Sequence, residues 1–261
     1  MFPPTPALRS LRLARLSDLT RIGVVAAAGF YHSSWWGYDR PFADKFVNDT
    51  LASYRHMYQS CIIDPSVIVL VAEDDLNKSE AEAVYGALAD AYPPWSAQIP
   101  PESLQDGKAI VGIASLSLQA GSARHGQFQP DGTPEIAPDP ALRNRDKNPV
   151  AGKLMQNATH QVAEKLFAGR MVVDTMVVHP AYWRRGHATN LTQWQMELAD
   201  GDSVGLGVEA AKMGVLLFEH LGFKEAQTVQ VPGYEDHPDP VAVWFGLRDE
   251  TKAAAQFNVQ L

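Results

Sequence analysis

Residues 172–189, VVDTMVVHPAYWRRGHAT, restrict the fold of this 261-residue chain more than any other segment. They read as an apolar strand, a His-Pro turn, an Arg-Arg-Gly-x-Ala loop and the first turn of a helix. A strand that feeds straight into a helix calls for a sheet with helices packed on it. A helix that starts at a glycine loop aims its unpaired N–H groups at one spot, which suits a phosphate or diphosphate. Arg184 and Arg185 bring charge of the matching sign. The segment therefore predicts a phosphorylated cofactor held between the strand and the helix.

The flanking sequence extends the pattern. Residues 9–16 alternate charge and leucine as a half-buried strand does. Ser17-Asp18 reads as a cap for a helix with Leu19, Ile22, Val25 and Ala26 on one face. A second helix is predicted over 43–60, then strands over 67–73 and 109–118. Leu154, Ala158, Val162 and Leu166 carry helical spacing through 153–168. Beyond the strand at 171–178 follow a helix (186–199), a strand (204–210), a helix (212–221) and strands near 224–231 and 241–247. Two stretches, 74–107 and 119–150, break the order. Of 18 prolines, nine fall between 93 and 149, which reads as surface inserts or a wrapping loop. There is no internal repeat and no obvious linker, so residues 1–261 read as a single α/β domain.

Charge and cysteine content narrow the function classes. Thirty acids against 22 bases give a net charge of -8, which argues against nucleic acid as a partner. Cys61 is the only cysteine, so no intrachain disulfide and no thiolate zinc site can form. It lies in an apolar run and reads as a buried, inert thiol of a reducing, cytoplasmic compartment. No apolar leader core and no run of about 18 apolar residues is present, so neither a signal peptide nor a membrane span is expected. No His, Asp or Glu grouping has metal-ligand spacing, so no metal is expected.

Val178-His179-Pro180 followed by Trp183-Arg184-Arg185-Gly186-His187-Ala188 resembles the signature of the GNAT superfamily of N-acetyltransferases. That signature is Gln/Arg-x-x-Gly-x-Gly/Ala after a strand ending in Val-x-Pro. The helix-to-Leu-Gly-Phe segment GVLLFEHLGF (214–223) and the N-terminal RLARLSDLTRIGVVAAAGF are similar to further landmarks of the family. The resemblance covers most of the chain outside inserts at about 74–107 and 119–168. It implies a mixed, mostly antiparallel central sheet flanked by helices. It also implies acetyl-CoA as cosubstrate, without a metal, and direct transfer to a small-molecule primary amine in a ternary complex. Met176, Val177 and Val178 would pair with the pantetheine arm, and Arg184, Arg185, Gly186, His187, Ala188 and Thr189 would hold the diphosphate. Two positions depart from the family: Trp183 replaces Gln/Arg. Phe218 stands at the cofactor side where many members carry a tyrosine acid, which leaves room for an acyl-CoA-binding sensor without turnover. A nucleotide-binding phosphate loop is disfavoured, because no Gly-Lys-Ser/Thr follows the glycine.

Asp174 is the leading candidate for general base, since a mid-strand carboxylate in an apolar run is costly unless paired or used. Alternation places it on the face of the base used by some family members. The competing reading is a buried salt bridge or a hydrogen-bonded Asp, with Arg170 or an N-terminal arginine as partner. Glu209 is the second candidate, against a plain strand-end charge. His179 reads as a solvated or hydrogen-bonded turn residue, and His220 as a partner of the helix dipole. Phe30, Tyr31, Trp35 and Trp36 read as an acceptor wall, against a second small core under the insert or an interface. Tyr234, with Glu235, Asp236 and His237 beside it, falls on the acceptor side, against a plain solvated turn. A homodimer is compatible with the chain.

Overall fold

The computed structural model describes residues 2–91, 107–130 and 142–250. The proline-rich 93–102 stretch and part of the 119–150 loop lie outside them. Seven strands form one sheet: β1 (Leu11–Leu13), β2 (Val67–Asp75), β3 (Lys108–Ser117), β4 (Met171–Val178), β5 (Leu206–Ala210), β6 (Lys224–Val231) and β7 (Val241–Arg248). Their spatial order is β1-β2-β3-β4-β5-β7-β6. Every neighbouring pair is antiparallel except β4 and β5, which run parallel.

Helices cover both faces. On one side lie α1 (Leu19–Phe30), α2 (Ser34–Asp39), α3 (Val47–Ile63) and α5 (Pro149–Leu166). On the other lie α6 (His187–Gly201) and α7 (Lys212–His220), whose Leu191, Leu198 and Phe218 meet Leu70, Leu116 and Val208. Covered on both sides, β3 is buried from Ala109 to Leu116, which explains its unbroken apolar sequence. The helix α1 is apolar nearly all round because it fills the gap between α3 and the sheet. Gly29 permits that approach: a Cβ there would fall 2.3 Å from Val177 Cγ2.

Several expectations are corrected. The first strand spans three residues, because the backbone turns at Arg9 (φ 55°) and Arg15–Asp18 enters a short 3-10 turn. Asp18 does not cap α1; its carboxylate takes Arg12 and the Arg15 N–H instead. The short helices α2 and α4 (Gly86–Ala91) are too brief for periodicity to reveal.

The inserts are not merely superficial. Glu80, Tyr85 and Leu88 from the first are buried, as are Arg124 and Asp146 from the second. Buried ion pairs pin both inserts. Arg21 grips Glu80 with two nitrogens at 2.5 and 2.9 Å, and Tyr182 donates to the same carboxylate at 2.8 Å. Arg40 pairs with Asp146, which also accepts from Thr50. Arg124 grips Asp202 and takes the carbonyls of Pro3 and Pro4.

Candidate active site

The site starts from a break in pairing. Parallel β4 and β5 share only Met171–Leu206, Val172–Gly207 and Val173–Val208. Both strands continue, β4 to Val178 and β5 to Ala210, without meeting again. Beyond Val173, β4 keeps β3 as its partner, and no described strand pairs with its other edge. A bulge marks the point of departure: Thr175 faces Ser115 and Val173 faces Leu116, so Asp174 is the extra residue. The bulge interrupts the alternation assumed from sequence. Thr175 turns to α3, where its Oγ1 receives the Tyr58 hydroxyl at 3.1 Å and meets Ser115 Oγ at 2.7 Å.

The gap opens into a cavity of about 530 Å³ that passes through the sheet. On the α7 side it is walled by Val208, Ala210, Met213, Gly214 and Phe218. On the other side it meets Phe30, Trp35, Trp36, Arg40, Tyr54 and Met155. Asp174, Thr175 and Met176 from β4 and Glu209 from β5 form the neck between the halves.

Asp174 is reached by solvent from the cavity, yet the walls shield it from bulk water. That desolvation, with Glu209 adding repulsion, pushes its carboxyl up to about 6, against the 2.7 Å hydrogen bond donated by Ser117. Burial also raises the Glu209 carboxyl. The salt-bridge alternative for Asp174 is not realised: Arg170 pairs with Asp249, and Arg12 with Asp18 and Glu73. Cys61 is partly buried and its thiol is pushed up to about 11 by burial and by Asp174, as suits an inert cysteine.

The glycine loop lies outside the cavity, past the end of β4. Arg184 (φ 64°) and Gly186 (φ 84°) both adopt left-handed backbone, and Gly186 opens α6 with no side chain capping the first turn. Arg184, Arg185 and Gly186 are exposed, and among the described residues no side chain fills the turn. Arg185 and His187 both contact Asp74 Oδ2, each at 3.0 Å, which braces the loop against β2. Trp183 folds back and donates Nε1–H to the Val178 carbonyl at 2.7 Å. The turn thus suits a phosphate group and the open β4 edge an extended arm.

Other sequence candidates divide. Phe30, Trp35 and Trp36 line the cavity, while Tyr31 does not; it stacks on Tyr85 at 4.2 Å against the core between α1, α3 and the sheet. Tyr234 does not line it either, because its hydroxyl is spent on the Tyr38 carbonyl at 2.5 Å. In its loop, Asp236 accepts from Asn148, and His237 meets the Asp239 carbonyl. His179 is the hydrogen-bonded turn residue rather than a solvated one: it is buried, its Nδ1 accepts from the Ala181 N–H at 3.3 Å, and burial and then Arg21 hold its imidazole down to about 4, hence neutral. Among the described residues no group of three His, Cys, Asp or Glu could hold a metal, and no helix is long and apolar enough to cross a membrane. Sequence reasoning missed Tyr54 and Met57 on α3 and Arg40 at its approach. The four-residue spacing of Thr50, Tyr54, Tyr58 and Ile62, all buried, was the available signal.

A sheet parted between two parallel strands thus lies beside a turn suited to a phosphate. No protein-family profile matches the chain. A curated protein named "Acetyltransferase" from Stachybotrys chartarum is 30% identical over 238 residues, 90% of this chain and 89% of its own. Among solved structures, the histone acetyltransferase HPA2 and related acetyltransferase from Corynebacterium glutamicum is similar at a TM-score of 0.51 and 12% identity, over 94% of this chain and 98% of that one. The C-terminal condensation domain of Ebony, in complex with beta-alanyl-dopamine, also gives 0.51, at 10% identity over 92% and 97%. The chain belongs to the acetyltransferases, the family of that curated relative, and the two solved structures share its fold.

Proposed function

We propose that this acetyltransferase moves an acetyl group from acetyl-CoA to a small-molecule primary amine by direct attack in a ternary complex. The observation that carries the reading is the two-sided cavity with Asp174 and Glu209 at its neck. Two substrates entering from opposite faces would meet there. Acetyl-CoA supplies an acetyl thioester, whose C–S bond is exchanged for an N–C bond while the sulfur takes the electron pair and a proton.

The chain's own residues divide the remaining work. The N–H groups of Arg184 to Thr189 and the Arg184 guanidinium would hold the diphosphate. The open edge at Met176, Val177 and Val178 would hold the arm and offer an N–H to the thioester oxygen. Asp174, ionised above about pH 6, takes a proton from the ammonium nitrogen and frees its lone pair. Glu209 adds negative field at the same place. Phe218 has no proton to give, so the departing sulfur takes the second proton, the one the acylated nitrogen sheds, directly or through water. The partly buried, inert Cys61 argues against a covalent acetyl-enzyme and accords with a reducing, cytoplasmic setting.

Calorimetric titration of acetyl-CoA tests the cofactor half. Arg184→Ala and Gly186→Trp should both weaken binding, and unchanged affinity in both would refute the loop assignment. CoA release on mixing with amines tests the transfer. Phe218 favours one second reading, an acyl-CoA-binding sensor, which binding without release would support.

A further inference from the structure

The acceptor half of the cavity has a wall of nearly parallel rings. Phe30 and Tyr54 have centroids 5.6 Å apart and planes 20° apart, and Tyr54 and Trp36 stand at 5.9 Å and 17°. Charges at the far end are balanced within the protein. Arg40 is held by Asp146, and Lys147 sits 3.4 Å from Asp39. The neck is different: among the described residues no cationic side chain pairs with Asp174 or Glu209. Arg40 lies over the Tyr54 ring, 4.5 Å from its centroid, so the cavity offers a largely aromatic lining of Phe30, Trp35, Trp36 and Tyr54 at one end and uncompensated negative charge at the other. Its volume of about 530 Å³ suits a compact ligand, and α5 closes one side with Ala151, Met155 and Thr159.

Resting on the transfer reading above, we propose that the acceptor is a primary amine carried on a short chain by a flat apolar ring. Its ammonium sits between Asp174 and Glu209, and its ring lies on the Phe30–Tyr54–Trp36 wall. Stacking and edge contacts favour an aromatic ring over a saturated one of equal size. A polyamine would carry a second ammonium into the apolar half, where the carboxylates already have partners. An aminosugar would set several hydroxyls against ring faces and the Met57 and Met155 side chains, which offer them few hydrogen-bond partners. An amino acid would bring its own carboxylate beside two others. A lysine on a folded protein surface would need an open groove, which α5 obstructs.

The test measures CoA release from acetyl-CoA with 2-phenylethylamine, 2-cyclohexylethylamine, spermidine, glucosamine and 2-phenylethanol. For 2-phenylethylamine, kcat/KM should exceed that for the cyclohexyl analogue about 10-fold and those for spermidine and glucosamine about 100-fold. Phe30→Leu, which keeps apolar bulk and removes the ring, should abolish the preference for phenyl over cyclohexyl and leave the KM for acetyl-CoA unchanged. Equal or better use of spermidine or glucosamine would overturn the proposal, and so would a preference for the alcohol. If no compound releases CoA, the transfer reading fails on its own. Calorimetry of 2-phenylethylamine with the wild-type protein then decides the ligand class: saturable binding stronger than that of spermidine supports it, and its absence overturns it.

Discussion

Glu80 and Asp174 are both carboxylates in largely apolar surroundings, and the fold treats them in opposite ways. Arg21 and Tyr182 grip Glu80, and although burial works against the charged form, the Arg21 contact holds its carboxyl below the ordinary range. Among the described residues Asp174 is bonded by Ser117, through its hydroxyl and its backbone, with no cationic partner, and its carboxyl is pushed up to about 6. The first carboxylate fastens the insert after β2 to α1 and to the turn after β4. The second is left uncompensated at the narrowest point of a cavity. A satisfied buried charge holds structure together, whereas an unsatisfied one in a cleft marks a place where chemistry is done.

Substitution of each separates the roles. Asp174→Asn should lower kcat by about 10²–10⁴-fold, the usual worth of a general base, with acetyl-CoA affinity and melting temperature nearly unchanged. Glu80→Ala leaves the Arg21 charge buried without its carboxylate and should cost about 3–5 kcal/mol of stability, read from chemical denaturation. If Glu80→Ala proved harmless to stability, or Asp174→Asn unfolded the protein, the contrast would be broken. Gly186→Val forces a branched residue into a backbone with φ 84°. It should cost about 1–2 kcal/mol and weaken acetyl-CoA binding together. Tyr234→Phe removes one hydrogen bond and should cost only about 0.5–1.5 kcal/mol, with kcat/KM for the amine unchanged because Tyr234 is absent from the cavity wall.

The two carboxylates also give pH effects of opposite sign. The lowered Glu80 contributes stability above the ordinary glutamate range, and that contribution is lost as pH falls. With Asp174 raised, the folded protein holds a proton more tightly than the unfolded chain does. That contribution is present on the acid side and lost as pH rises through about 6.

Much of this architecture is written locally. The strand–loop–helix at 172–189, the apolar β3 and the amphipathic α5 are each decided by neighbours in sequence, and each lies close to its expected place. The bulge at Asp174 is not local, because it depends on how β3 and β4 register across 57 residues, between Ser117 and Asp174. Nor is the parting of β4 and β5, which follows from that register. Tyr31 and Trp36 carry similar composition signals, but α2 turns Trp36 to the cavity and leaves Tyr31 stacked on Tyr85. Glu80 falls in a stretch that reads as a surface insert, because its partner, Arg21, lies 59 residues away.

The most direct test of Asp174 as the proton acceptor is the pH profile of CoA release at saturating acetyl-CoA, with a reactive amine, for the wild type and Asp174→Asn. The wild type is expected to gain activity as pH rises through about 6, and Asp174→Asn to lose both that limb and most of the rate. A variant that retains the wild-type rate and the same limb would contradict the account.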